Sequence, residues 1–136
     1  MASEKGISIC HDVSFEAASD LSAKQYYCVE ATDTANRIDI GDGASATYGT
    51  LGVLQNAPVQ YGEAQVRMFG PSKAVCAATA ASFGCWLTRN ASGQLEVTTT
   101  GSLAVGWALE TPDASASSII DVFLFPFLCQ LTSNHA

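Results

Sequence analysis

Charged residues are scarce in this sequence, and basic residues are the scarcest. Only 14% of the 136 residues are charged, and six lysines and arginines stand against thirteen aspartates and glutamates. Typical soluble domains have roughly 25% charged residues. The basic residues are scattered rather than clustered, so the chain lacks the positive patch that binding to a nucleic-acid backbone requires. With so few charges, small neutral side chains must cover much of the surface, which favours burial against other proteins.

Long apolar runs and regular cysteine spacings are also missing. The longest apolar run, residues 122–128, is broken by Pro126 and is too short to span a bilayer. The N-terminal MASEKGISIC lacks the pattern of a secretory signal, so we expect synthesis in a cytoplasm. The five cysteines contain no C-x-x-C pair. We therefore expect buried thiols that act as small hydrophobic side chains, and no metal or cofactor site.

Three short patterns suggest chemistry, but each lacks a part that its chemistry needs. Gly41 and Gly43 follow a strand-like RIDI, yet no helix-forming stretch comes next to bind a dinucleotide. The acidic residues between positions 33 and 42 do not have the spacing of a calcium-binding loop. His11 stands beside Asp12 in a segment that resembles a mobile arm, where a general base would be poorly held. We therefore expect no enzyme activity.

Short β-type segments separated by turns follow from position 25 onward. They include QYYCVEA, RIDI, LGVLQ, AQVRMF, CWLTR, QLEVTTT and LAVGWALE. Such spacing is typical of an all-β sandwich or barrel. The sequence predicts a small, mainly β domain of antiparallel strands over residues 25–130. An extended N-terminal arm over residues 1–24 precedes it, and a short tail over residues 131–136 follows.

A repeat runs through this region. GVLQNAP at residues 52–58 and GWALETP at residues 106–112 share their first glycine and last proline, and each precedes an apolar stretch that reaches a second proline. Similarity at a fixed spacing indicates repeated structural units. We interpret the two copies as a duplicated strand–turn–strand unit whose strands end at the prolines, because proline cannot donate to a central ladder.

The aromatic residues divide into core and surface candidates. Trp86 and Trp107 lie on predicted strands that face the repeat, and we expect them to belong to the core. Tyr26 and Tyr61 fall near strand or loop ends, where a ring can pack while its hydroxyl stays wet. We therefore regard these two tyrosines as candidates for an interface.

Four segments of the sequence are similar to those of a known protein family. They are YYCVEATDTANRI, GTLGVLQNAPVQYGEAQVRMFGPSKAVCAA, SFGCWLTRNASGQ and AVGWALETPDASASSIIDVFLFP. Together they resemble the small capsid decoration, or cement, proteins of tailed bacteriophages. The resemblance implies a structural virion protein of mainly β architecture that adds to the outside of the head after synthesis in the host cytoplasm.

The resemblance also implies partners. These are the main shell protein and other copies of the same chain, usually as trimers, with dimers as an alternative; no nucleic acid, membrane or cofactor is implied. An N-terminal arm in such proteins adds a strand to the shell or reaches a neighbouring copy. Ile7, Ile9 and Phe15 would then be the apolar anchors of the arm.

Two alternatives stay open. The first is another virion β-module, such as a tail, fibre or receptor-binding part, which would share the β pattern and the low charge. The second, more distant, is a small cytoplasmic enzyme that uses His11 or a cysteine. Thiol reactivity distinguishes the second, because an activated cysteine reacts as its thiolate and a buried structural one does not.

Overall fold

Nine β-strands form the described part of the chain. The computed structural model describes residues 10–40, 49–77, 82–98, 103–111 and 118–130, and these ranges contain no helix. The strands are β1 (His11–Ala17), β2 (Cys28–Ala31), β3 (Arg37–Ile40), β4 (Thr50–Leu54), β5 (Glu63–Cys76), β6 (Trp86–Arg89), β7 (Leu95–Val97), β8 (Leu103–Ala108) and β9 (Ser118–Gln130). The prediction of an all-β fold is confirmed.

The first five strands close into a ring. β1 pairs with β3, β3 with β2, β2 with β4, β4 with β5, and β5 returns to β1. We call this ring, made of β1–β4 and the first half of β5, the first barrel. Alternate residues of each strand point inward, so the ring has its own buried core. That core consists of Ala17, Leu21, Val29, Ile38, Leu54, Ala64 and Val66.

A second ring begins where the first one ends. The second half of β5 pairs with β7 and β9, while β6 joins β7 to β8 and β8 joins β9. We call this ring the second barrel. Its buried residues include Ala74, Cys76, Leu87, Leu95, Val105, Ala108, Ile120, Val122 and Leu124. The strand β5, 14 residues long, therefore belongs to both barrels.

The two barrels are copies of one design. Their neighbouring strands follow the orders β3-β2-β4-β5 and β7-β6-β8-β9. Val29 lies opposite Gly52 in the first barrel, and Leu87 lies opposite Gly106 in the second. The predicted duplication is confirmed, and it is larger than the predicted hairpin because each copy covers five strand segments, with β5 contributing one half to each copy.

Each ring is closed by a parallel strand pair, which the prediction of antiparallel strands did not include. Ala17 of β1 lies opposite Ile38 of β3, and Cys76 of β5 lies opposite Leu95 of β7. The second half of β5 thus has the role in the second barrel that β1 has in the first. All four of these residues are fully buried.

The expectation that the strands stop at the second prolines is wrong. β5 continues through Pro71, and β9 continues through Pro126. Gly70, at a φ of 103°, and Pro71 lie where β5 changes its partner from β1 to β9. The ladder is already interrupted at such a change, so the missing N–H of proline is tolerated there.

The structure also corrects the predicted arm. Residues from His11 onward are not outside the domain, because β1 pairs along β5 from His11 to Glu16 and Leu21 lies in the first core at 1% exposure. The short, largely polar sequence HDVSFEA gives little sign of this, since its burial depends on strands that follow much later in the chain. Residues 1–9, like the predicted tail over residues 131–136, lie outside the described ranges.

The two barrels are packed firmly against each other. Cys28 and Val53 point away from the first core and into that of the second. Arg89 of β6 donates hydrogen bonds to Glu30 of β2, at 2.5 Å, and to Thr50 of β4, at 2.7 Å. The Arg89 and Glu30 side chains are each only 10% exposed, so the ion pair crosses the junction with little screening by water.

The equivalent glycines Gly52 and Gly106 provide a test of the duplication. A Cβ atom would lie 2.1 Å from the Arg67 carbonyl oxygen at Gly52, and 2.4 Å from the Phe123 carbonyl oxygen at Gly106. We expect Gly52→Ala and Gly106→Ala each to lower the free energy of unfolding by about 3 kcal/mol, because the partner backbone cannot move aside. Urea unfolding followed by circular dichroism measures this loss.

Gly84→Ala is the matched control. Gly84 has a φ of +86° and no atom within 4 Å of a built Cβ. The control should lose only about 1 kcal/mol, from backbone strain. Equal stability of the three variants would contradict the close strand approach.

Candidate interaction surface

Aromatic side chains form a continuous row on the outside of the second barrel. Leu87, Ala108 and Val122 point into the core, so their neighbours along the strands point outward. The outward set crosses four strands. We call it the aromatic stripe, and it consists of Phe69, Trp86, Trp107, Phe123 and Phe125.

Register places these rings in contact. Trp86 lies directly opposite Trp107, and Trp107 lies directly opposite Phe123. The ring centroids are 5.7 Å apart for Trp86 and Trp107, 6.0 Å for Trp107 and Phe123, and 5.5 Å for Phe123 and Phe69. Most of these contacts are edge-to-face or tilted, which are favourable geometries for aromatic pairs. Phe125 completes the cluster, with its centroid 5.1 Å from that of Trp107.

The prediction that both tryptophans belong to the core is wrong. Trp86 is 38% exposed and Trp107 is 37% exposed. The strand period of two explains the difference, because Leu87 and Ala108 occupy the inward positions next to them. The alternation in CWLTR and DVFLF was the signal that could have identified this surface, once Leu87 and Val122 were assigned to the core.

The residues proposed from the sequence as interface anchors do not come together. Tyr61 is 58% exposed in the first barrel, and the guanidinium of Arg37 lies 4.9 Å from its ring centroid. Tyr26 packs partly buried against the second core, and Phe15 packs partly buried against the first. Tyr26 and Tyr61 have positive φ angles of 70° and 65°. Ile7 and Ile9 lie outside the described residues.

Basic side chains in the described ranges are all engaged locally. Arg37 pairs with Glu16, Arg67 with Asp12, Lys73 with Asp121 and Arg89 with Glu30, while Lys24 lies over the ring of Tyr27. The hydrogen bond from Arg67 lowers the pKa of Asp12. Four of these five cations are paired with carboxylates, and none of the five is a member of the stripe, so the stripe offers apolar contact rather than charge.

The residues considered for chemistry are dispersed. No group of three or more metal-ligating side chains occurs within the described ranges. Burial raises the pKa of the Cys28 thiol to about 12, and burial also raises that of Cys76. The His11 ring packs edge-on against Phe69, with centroids 6.2 Å apart. The glycine pattern at residues 41–46 lies outside the described ranges.

Comparison with known proteins gives a likeness in fold. No protein-family model matches the chain, and no curated protein matches it in sequence. The fold is similar to that of the N base of the head fibre gp8.5 in bacteriophage phi29, with a TM-score of 0.62 and 18% sequence identity. The similarity covers 90% of this chain and 99% of that chain. At this identity, the comparison establishes that the two proteins share a fold.

Proposed function

We propose that the protein is a structural component of a bacteriophage particle that attaches to the outer surface of the head as a decoration protein. One observation carries this proposal: nearly the whole chain, 90% of it, shares its fold with nearly the whole of a head-fibre base. A match over 90% of the chain includes parts of both barrels and is more informative than one over a single small barrel, because such barrels support many unrelated functions.

The aromatic stripe is the proposed attachment surface. Trp and Phe side chains contribute most of the binding energy in many protein interfaces, and the stripe is the largest set of contacting rings among the described residues. In an oligomer of this chain several stripes would contact the head at once, so each single contact can be weak. Catalytic chemistry has no part in this role.

A head-fibre base is the second candidate, because the phi29 protein with the same fold is the N base of a head fibre. A decoration protein and a fibre base would both attach to the head surface, but only the fibre base would carry a further structure. A decoration protein ends at the surface of the head, whereas a fibre base supports a projecting fibre. Electron microscopy of the particles distinguishes them by the presence of that projection.

Substitution of Trp107 tests the attachment surface. Heads isolated without this chain are mixed with the purified protein and sedimented, and the bound fraction is measured. We expect Trp107→Ser to weaken binding about tenfold or more, because a central tryptophan in an interface typically contributes at least 1.4 kcal/mol.

Tyr61→Ser is the comparison variant, since Tyr61 is 58% exposed but lies in the other barrel. It should bind within about twofold of the parent protein, as expected for a residue outside the contact. Weaker binding by Tyr61→Ser alone would contradict the stripe and favour the interface proposed from the sequence. Absence of binding by the parent protein would contradict the function itself.

Thiol alkylation tests the enzyme alternative. At pH 8, iodoacetamide should modify native Cys28 at least roughly a hundredfold more slowly than the same cysteine in urea, because a pKa near 12 leaves almost no thiolate. The half-buried Cys85 serves as an internal control within the same chain. Rapid native modification of Cys28, read by mass spectrometry of peptides, would support an activated nucleophile and contradict a purely structural role.

A further inference from the structure

A cleft opens to solvent on the first barrel, where the second half of β1 meets the turn before β5. Its volume is about 280 Å³, just below the range of pockets for drug-sized molecules, so it suits a smaller ligand. The polar and aromatic side chains that line it are Ser14, Glu16, Asn36, Tyr61 and Glu63. One aromatic ring and several hydrogen-bonding groups therefore face the same space.

The backbone around the Tyr61 ring is fixed in place. The Tyr61 N–H donates to the Ala17 carbonyl at 2.8 Å, and the Ala17 N–H donates to the Gly62 carbonyl at 3.0 Å. The Gln60 side chain donates to the Ala18 carbonyl at 3.0 Å. These bonds support a φ of 65° at Tyr61, which a bulky residue seldom adopts. A ring that is already positioned loses little freedom when a ligand binds to it.

One face of this ring is available to a ligand. The Arg37 guanidinium lies 4.9 Å from the Tyr61 ring centroid and is itself paired with Glu16. Arg37 does not line the cleft, and Tyr61 is still 58% exposed. The guanidinium therefore covers one face of the ring and leaves the other as a flat apolar surface.

The polar side chains beside this ring can bind hydroxyl groups. The Ser14 hydroxyl and the Asn36 amide each donate and accept hydrogen bonds, whereas the Glu63 carboxylate accepts only. None of these three side chains is hydrogen-bonded to another described residue. A neutral pyranose sugar has an apolar face of C–H bonds and a rim of hydroxyls. The ring and its polar neighbours are complementary to both parts of such a sugar.

Other classes of small ligand fit the cleft less well. The carboxylates of Glu16 and Glu63 repel an anion. A quaternary ammonium is bound by a cage of several aromatic rings, and the open face of Tyr61 is a single surface. No group of three or more metal-ligating side chains occurs in the part of the chain that the structure describes.

The duplication shows that the barrel design does not require an open cleft here. In the first barrel, the Glu16 N–H donates to the Asn36 carbonyl at 2.8 Å. The equivalent residues of the second barrel are Val75 and Gly93, which bond instead to the segment Tyr26–Cys28, at 2.9 and 2.8 Å. The chain itself thus occupies in the second barrel the place that the first barrel leaves open.

We propose that this cleft binds a neutral pyranose sugar, with the Tyr61 ring against its apolar face and Ser14, Asn36 and Glu63 hydrogen-bonded to its hydroxyls. The inference goes beyond the proposed attachment through the aromatic stripe and does not depend on it. A ligand of about a dozen non-hydrogen atoms gives a dissociation constant on the order of 1 mM. Several copies on one particle would bind a surface rich in such sugars more tightly than one copy does.

Nuclear magnetic resonance titration of the isotope-labelled full chain tests the site. The probes are the methyl glycosides of glucose, galactose, mannose and N-acetylglucosamine, each to about 50 mM, well above the expected dissociation constant. At least one should shift the amide signals of Gly62 and Glu63 with a saturating dependence. Unshifted signals with all four probes would overturn the proposal.

Methyl glucuronide is the matched control ligand, because it adds only a negative charge to the glucoside. Its affinity should be at least roughly fivefold lower than that of the best neutral glycoside, since its carboxylate meets that of Glu63. Equal or tighter binding of the glucuronide would overturn the assignment to neutral sugars.

Two substitutions of Tyr61 test the role of the ring. Tyr61→Ser removes the apolar surface and should weaken binding of the sugar about tenfold or more. Tyr61→Phe keeps that surface and should bind within about twofold of the parent protein. Parent-like affinity in Tyr61→Ser would contradict the proposed site, even if the amide signals shift.

Trp107→Ser is the matched control variant, since the tryptophans of the stripe are also exposed flat rings. It should bind the sugar as the parent protein does. Loss of sugar binding in Trp107→Ser, with retention in Tyr61→Ser, would place the sugar on the stripe and overturn the proposal. Sedimentation with heads keeps the two functions distinguishable, because Tyr61→Ser should lose the sugar and keep the head, and Trp107→Ser the reverse.

Discussion

The sharing of one strand between two barrels is the constraint on which the rest of the structure depends. β5 closes the first barrel with its first half and opens the second with its last half, over 14 residues without a break. Neither ring can close without it, so the two cores are formed by one continuous ladder. The buried Arg89–Glu30 pair then fixes the two copies against each other. A shared strand thus joins the two copies of the duplication into a single unit.

The sequence predicts those features of the fold that depend on the alternation of inward and outward residues along a strand or on a repeated residue. The period of two along residues 120–124 puts Ile120, Val122 and Leu124 on one face of a strand, and all three are buried. The repeat of Gly52 at Gly106 indicated a duplication, because each glycine meets a requirement that the backbone of the partner strand imposes. These features are predictable since each depends on residues that are close together in the chain or on an exact spacing.

Long-range pairing determined what the sequence could not reveal. His11–Ala17 belongs to the first barrel only because β3 and β5, distant in the chain, supply both of its edges. The aromatic stripe likewise arises from register, since Trp86, Trp107 and Phe123 come from three strands and meet in one row. Tyr61, by contrast, is exposed in the first barrel and stands apart from that row. When the residues of a site come from different strands, no regular spacing within a single strand reveals that they meet.

Quantitative mass spectrometry of purified particles tests the central claim most directly. The quantity to measure is the ratio of this chain to the main shell protein of the particle. A head-surface protein that repeats the same contact over the shell predicts a ratio near one or a simple fraction of it. A few copies per particle, as at a tail or a single vertex, or no copies at all, would contradict the account.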